Sequence, residues 1–103
     1  MSVTMRITQQ YDVRHEKEFL ALEREFAALE ASRPDYPKGR RMKPISSSLA
    51  CNTLVWECGF PDLEAARKAL DFFAGDAAHE ALFARQVPFF QNVHVEFFEN
   101  LEY

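Results

Sequence analysis

One stretch, TLVWECGFPDLEAARKALDFF at residues 53–73, constrains the fold of this chain more than any other. Its first eight residues alternate between two faces, which is the pattern of a β-strand. Four apolar side chains share one of these faces: Leu54, Trp56, Cys58 and Phe60. Pro61 ends the strand, and Asp62 can cap a helix. The sequence therefore predicts a strand over residues 53–60 that turns directly into an amphipathic helix.

Two further segments have the period of an α-helix. Residues 14–31 carry four large apolar side chains at spacings of three and four: Phe19, Leu22, Phe26 and Leu29. That spacing predicts a buried stripe, and we assign Glu23 and Glu30 to the polar remainder of the helix. Residues 77–86 predict a short helix capped by Asp76, with Gly75 as a left-handed residue at the end of the preceding helix.

Three other segments predict strands. Residues 3–11 alternate strictly, with Val3, Met5 and Ile7 on one face. We place a second strand around residues 40–48, after a loop that contains several prolines. The last strand is predicted over the terminal sequence NVHVEFFENLEY, residues 92–103.

The order strand, helix, strand, strand, helix, strand predicts an α+β fold of the ferredoxin-like βαββαβ type. Right-handed crossovers place both main helices on one face of a four-stranded antiparallel sheet, with the first strand between the third and the fourth. The chain has 103 residues, of which 48% are hydrophobic and ten are Phe, so we expect a single domain over residues 1–103 with one packed core.

The face of the sheet that points away from the helices, called the outer face below, predicts a dimer. Arg6 lies on it, with acidic side chains expected on the neighbouring strands, and cross-strand charge pairs stabilise a sheet. We predict an interface network formed by four residues: Arg6, Glu57, His94 and Glu96. Phe98 also points outward, and a chain of this size has little interior for so much aromatic surface. These features favour a homodimer that associates through the sheet face.

Composition excludes several classes of partner. The formal net charge is −4 and no dense basic face is evident, so neither nucleic acid nor an anionic membrane is the expected partner. No segment is apolar enough for a membrane span or a signal peptide. Cys51 and Cys58 lack the spacing of a metal motif or a disulfide framework. We expect free, at least half-buried thiols in a cytoplasmic protein, with no metal site and no cofactor.

Aromatic side chains predict a small-molecule pocket between the sheet and the helices. The predicted ligand-binding residues are Tyr11, Tyr36, Trp56, Phe60 and His79. The alternative is that the aromatic residues are simply core. His79 lies in the first turn of a helix, where a neutral imidazole is favoured, so it is the one candidate for acid–base chemistry or ligand hydrogen bonding, unless it only caps or packs.

No catalytic constellation accompanies this pocket. The sequence has no Ser-His-Asp order, no phosphate-binding glycine loop and no nucleophile elbow, so the catalytic residues are unknown. A basic segment adjoins the predicted pocket: Lys38, Arg40, Arg41 and Lys43. These side chains either attract an anionic ligand to the pocket or are solvated surface charge.

Several stretches resemble known proteins. The sequence NTLVWE, the following Pro61-Asp62-Leu63 and Ala-rich helix, the segment DAAHEALF and the strand NVHVEFFENL resemble NIPSNAP-like members of the dimeric α/β-barrel superfamily. The resemblance implies a ferredoxin-like protomer whose sheet packs on that of a second copy to enclose a barrel. The wider superfamily includes cofactor-independent monooxygenases, haem enzymes and proteins of no assigned activity.

Two functional hypotheses follow. The first is a dimeric α/β-barrel protein of uncharacterised function with a small-ligand cavity between sheet and helices. The second is an enzyme resembling the cofactor-independent monooxygenases, or an isomerase, that acts on a small aromatic or quinone-type substrate. Because one fold hosts many activities, the fold does not decide between them.

Overall fold

The computed structural model describes residues 1–103 and contains one antiparallel sheet with three α-helices on one of its faces. The strands are β1 (Val3–Tyr11), β2 (Arg40–Met42), β3 (Thr53–Phe60) and β4 (Phe90–Glu99). The helices are α1 (Glu16–Ser32), α2 (Leu63–Gly75) and α3 (Ala77–Gln86). No helix combines the length and the apolar character that a membrane crossing requires.

The strands lie in the order β2-β3-β1-β4, with β1 antiparallel to both neighbours. The predicted ferredoxin-like α+β fold, with the first strand between the third and the fourth, is therefore confirmed. The register sets Ile7 opposite Trp56 on one side and Val95 on the other. These three side chains form a row across the middle of the face that the helices cover, and this row positions the site described below.

The predicted second strand is too long. β2 ends at Met42, because Pro44 has no N–H for the ladder and the serines that follow favour turns over extended structure. The predicted last strand is also displaced. β4 begins at Phe90, which pairs with Tyr11, and stops at Glu99, whose partner Val3 is the first residue of β1.

Gly75 is the last residue of α2, and no glycine has a positive φ, so the predicted left-handed residue is wrong. Asp76 follows at once and caps α3 by accepting a hydrogen bond from the backbone N–H of His79. Because that cap begins the next helix directly, no left-handed turn is needed. α1 begins slightly later than predicted, at Glu16, after a 3-10 turn at Val13–His15.

The core consists of two clusters on the helical side of the sheet. The larger contains Met5, Tyr36, Trp56, Cys58, Ala69 and Phe73. The smaller contains Tyr11, Phe19 and Leu54. Both cysteines are free; Cys58 is buried as expected, whereas Cys51 is exposed because it lies in the irregular segment that leads into β3.

Candidate functional site

A cavity of about 360 Å³ lies between the sheet and the helices. Six rings line it: Phe26, Tyr36, Trp56, Phe73, His79 and Phe83. Val93 and Val95 of β4 also line it and are 42% and 43% exposed, so the cavity opens along β4. A mostly apolar cleft of this size with a few polar groups is typical of small-molecule sites.

Three of the five predicted ligand-binding residues line the cavity: Tyr36, Trp56 and His79. Tyr11 lies elsewhere, stacked on Phe19 at 4.5 Å between ring centroids, and its hydroxyl donates to Glu16 Oε2 at 2.6 Å. Phe60 is half-buried at the end of β3 and packs against the larger core cluster. The structure therefore brings three of these aromatic residues together and leaves two outside the cavity.

A glycine fixes the position of Trp56 in the wall of the cavity. Gly39 approaches the indole so closely that a Cβ at this residue would lie 2.1 Å from Trp56 Cε2. The ring of Phe73 meets the indole nearly edge-on, at 6.0 Å and 78°. The indole therefore has little freedom to move, as a rigid binding surface requires.

Tyr36 brings an aromatic ring to the cavity wall. The residue is 4% exposed, and its buried hydroxyl has no hydrogen-bond partner. Burial, with the negative charge of Asp76, raises the pKa of Tyr36 to about 12, so the hydroxyl stays protonated at neutral pH. An unpaired buried hydroxyl costs free energy, and because this oxygen is closed off by its neighbours, a ligand in the cavity contacts the ring of Tyr36 and not the hydroxyl.

His79 is held among phenylalanine rings. It stacks on Phe73 at 5.0 Å and 13° and on Phe83 at 6.0 Å and 17°, and Phe26 lies 5.2 Å away. Nδ1 lies 3.1 Å from Glu80 Oε1. Because an ionised carboxylate only accepts hydrogen bonds, this contact assigns the proton to Nδ1. Nε2 makes no hydrogen bond within the chain.

A buried ion cluster forms the polar part of the cavity wall. Arg41 of β2 donates to Glu23 Oε1 at 2.7 Å and to Glu30 Oε2. Gln86 of α3 donates to Glu23 Oε2 at 3.0 Å, and the backbone N–H of Gly39 donates to Glu30 Oε1 at 2.9 Å. Burial lowers the pKa of Arg41, but the hydrogen bonds to Glu30 and Glu23 outweigh burial and raise it overall. The cluster ties β2, α1 and α3 together.

The predicted position of the two glutamates of this cluster is wrong. Glu23 and Glu30 were expected on the polar side of α1, whereas both are buried. The two glutamates continue the spacing of Phe19 and Phe26 at intervals of four, three and four, so all four share one stripe. That spacing is the signal that could have found them.

The cations of the basic segment all make hydrogen bonds within the chain. Arg40 donates to Glu57 at 2.9 Å and Lys43 to Glu16 at 2.7 Å. Lys38 donates to the backbone carbonyls of Arg33 at 2.6 Å and Tyr36 at 3.2 Å, and also to that of Glu30. With Arg41 in the buried cluster, all four cations have acceptors, so an anion-binding segment has no support.

On the outer face, two of the four predicted network residues are in contact. Arg6 Nε lies 2.7 Å from Glu57 Oε2, and the guanidinium carbon lies 4.8 Å from the centroid of the Phe98 ring. Hydrogen bonds from Arg40 and Arg6 lower the pKa of Glu57. Glu96 lies opposite Arg6 in the register, but it makes no ion pair. The fourth predicted residue, His94, lies opposite Thr8 and makes no hydrogen bond.

No three histidine, cysteine, aspartate or glutamate side chains come together in a way that could hold a metal ion. No family model matches the sequence, and no curated protein matches it significantly.

Solved structures match almost the whole chain. A NIPSNAP family protein from Agrobacterium tumefaciens has a TM-score of 0.80 at 14% identity, over 99% of this chain and 88% of that one. An uncharacterized NIPSNAP domain protein from Burkholderia xenovorans has a TM-score of 0.78 at 20% identity, over 98% and 95%. SnoaB, a cofactor-independent oxygenase from Streptomyces nogalater, has a TM-score of 0.69 at 16% identity, over 99% and 95%.

Other matches are described as antibiotic biosynthesis monooxygenases. At these identities the likeness shows the fold alone. The resemblance inferred from the sequence is confirmed at that level: this chain has the ferredoxin-like α+β fold that NIPSNAP family proteins and antibiotic biosynthesis monooxygenases share.

Proposed function

We propose that this protein is a homodimeric small-molecule-binding protein that holds a mainly apolar, aromatic ligand in the cavity between sheet and helices. One observation carries the proposal: a cavity of about 360 Å³ lies between the sheet and the helices, and six rings line it. The volume lies in the range of small-molecule sites. A planar ligand can stack on these rings.

A matched pair of variants tests this function. Ala74 of α2 and Ala81 of α3 are both exposed, but only Ala74 lines the cavity. Ala74→Phe should weaken the binding of neutral two-ring compounds such as naphthoquinones and naphthols by about tenfold or more, because the new ring takes up cavity volume. Ala81→Phe should leave the affinity unchanged. Calorimetry that detects no binding of any such compound to the wild-type protein would refute the function.

The dimer has its own support. All three helices pack on the face that carries Met5 and Trp56, so the outer face has no helix over it. That face combines Phe98, 40% exposed, with the Arg6–Glu57 ion pair and the unpaired Glu96. A second copy would cover the apolar ring and bring further charges to both Arg6 and Glu96. His94 belongs to the same proposed interface network.

A second candidate function is cofactor-independent oxygenation of an aromatic or quinone-type substrate. The observation that favours it is His79, whose Nε2 has no hydrogen-bond partner while Nδ1 lies 3.1 Å from Glu80 Oε1. Nε2 can take a proton from an acidic C–H of the ligand, and the electron pair stays on that carbon. Molecular oxygen can then add to the carbon, the proton returns from Nε2 to give a hydroperoxide, and loss of water leaves a ketone.

Oxygen consumption distinguishes the enzyme from the binding protein. With a hydroxylated polycyclic ketone as substrate, the enzyme hypothesis expects oxygen uptake that falls by about a hundredfold or more in His79→Gln, at an unchanged melting temperature. Ligand binding without oxygen uptake would support the binding function and refute the enzymatic one. A cytoplasmic location remains part of the proposal, supported by the free thiols Cys51 and Cys58.

A further inference from the structure

The charges that line the cavity do not balance. Three carboxylates belong to the lining, from Glu23, Glu30 and Glu80, against the single guanidinium of Arg41. Without counting His79, three carboxylates and one guanidinium leave a net charge of −2. Such an excess disfavours a further negative charge in the cavity and favours a positive one, and solvent screens part of the effect because the Glu80 side chain is 49% exposed.

The cations of the region are already engaged by the protein. Arg41 donates to both buried glutamates, and Lys38, which is not part of the lining, donates to three backbone carbonyls at the end of α1. No positive group is therefore left in the lining to receive an anionic ligand. By contrast, Glu80 makes a single hydrogen bond, to His79 Nδ1, and its second carboxylate oxygen has no partner.

The remaining polar groups of the lining carry no positive charge. Gln9 and Gln86 have amides that can accept as well as donate, and His79 Nε2 makes no hydrogen bond within the chain. Beside them lie the faces of aromatic rings, which attract ammonium groups through the ring quadrupole. Acceptors, uncompensated carboxylates and aromatic faces together form the chemistry that recognises an organic cation.

We propose that the cavity selects an aromatic amine that is protonated at neutral pH. Its ammonium group donates to Glu80, while its ring system packs against Trp56 and Phe73. This inference rests on the proposed binding function and adds its ligand class. It also excludes carboxylates and phosphate esters, which the negative wall repels.

Three compounds with one ring system test the charge preference: naphthylethylamine, naphthylethanol and naphthylacetate. Calorimetry at neutral pH and low salt should show the amine binding about tenfold more tightly than the alcohol, and the carboxylate about tenfold more weakly. Glu80→Gln, which keeps an acceptor for His79 Nδ1, should remove most of the advantage of the amine without changing the affinity for the alcohol. Glu64→Gln is the matched control, because Glu64 lies exposed on α2 and pairs only with Lys68.

Each outcome bears on a different claim. Equal affinities for amine and alcohol, or tighter binding of the carboxylate, would overturn the proposed ligand class while the binding function stands. A preference for the amine that survives Glu80→Gln would overturn the role of Glu80. Failure of all three compounds to bind would refute the binding function itself, and the ligand class with it.

Discussion

Glu23 Oε1 on α1 lies 2.7 Å from Arg41 Nε on β2, and this contact joins the helical layer to the edge strand of the sheet. β2 has only three residues in its ladder with β3, so few backbone hydrogen bonds hold it. The second carboxylate of the cluster, from Glu30, also binds Arg41. The short strand is therefore fixed largely by a buried ion pair.

Arg41→Met should destabilise the fold strongly. Methionine keeps the apolar stem but leaves Glu23 and Glu30 buried without their cation, which costs about 2–4 kcal/mol. Urea unfolding measures the loss. Arg40→Met is the control, since the Arg40 side chain is 73% exposed, and should cost less than about 1 kcal/mol.

A triple variant checks the cause of that loss. If uncompensated charge is responsible, Arg41→Met combined with Glu23→Gln and Glu30→Gln should recover much of the lost stability, because neutral side chains carry no unpaired charge. A triple variant that is less stable than Arg41→Met alone would contradict this account.

Gly39→Ala should disturb Trp56 directly. The new Cβ would lie 2.1 Å from the indole, so the ring or the backbone must move, at a cost of about 1–3 kcal/mol. The emission of Trp56, the one tryptophan of the chain, should shift at the same time. Gly75→Ala is the control: nothing lies within 4 Å of the added Cβ, and it should stabilise α2 by about 0.5–1 kcal/mol. An unshifted spectrum in Gly39→Ala would contradict the close approach.

Stability should fall in acid partly because of Glu57. Arg40 and Arg6 lower its folded pKa below the usual 4.5, so the folded protein keeps this carboxylate ionised at a pH where the unfolded chain protonates it. The ion pairs therefore stabilise the fold above that value and are lost as the pH falls through the folded pKa. Glu57→Gln should be less stable than the wild type at neutral pH, and the difference should shrink as the pH falls below 4.5 and through the folded pKa of Glu57. A difference that is independent of pH would contradict this assignment.

Phe98→Glu should separate the proposed dimer. It replaces an exposed apolar ring on the outer face with a charge beside Glu96, where like charges repel. Sedimentation at micromolar concentration should show a dimeric wild type and a monomeric variant. Val13→Glu, which changes an exposed residue away from the sheet, should stay dimeric. A wild-type monomer under these conditions would refute the dimer.

The fold follows from local patterns, whereas the cavity depends on distances that these patterns do not contain. The strict alternation of side chains along the sequence predicts where β1 and β3 begin and end and which side chains share a face. It does not say where along a strand the helices leave space. Tyr11 and Phe60 share the face of Trp56 but lie near opposite ends of the sheet, opposite Phe90 and Val3, whereas Trp56 lies in the middle row.

The ion cluster shows a second limit. The spacing of Glu23 and Glu30 on α1 is visible in the sequence, but burying two carboxylates is unfavourable until a cation is found for them. That cation, Arg41, comes from a short strand whose position only the assembled sheet defines. Because the sequence does not reveal this contact, it predicts that Arg41, Glu23 and Glu30 all lie on the surface.

The most direct test of the central claim is a nuclear Overhauser spectrum of the protein with saturating naphthylethanol. Binding in the cavity predicts contacts from the naphthyl protons to the Trp56 indole and to the methyl groups of Val93 and Val95, which line its open side. Contacts confined to the outer face, or no contacts at saturation, would contradict a ligand site between the sheet and the helices.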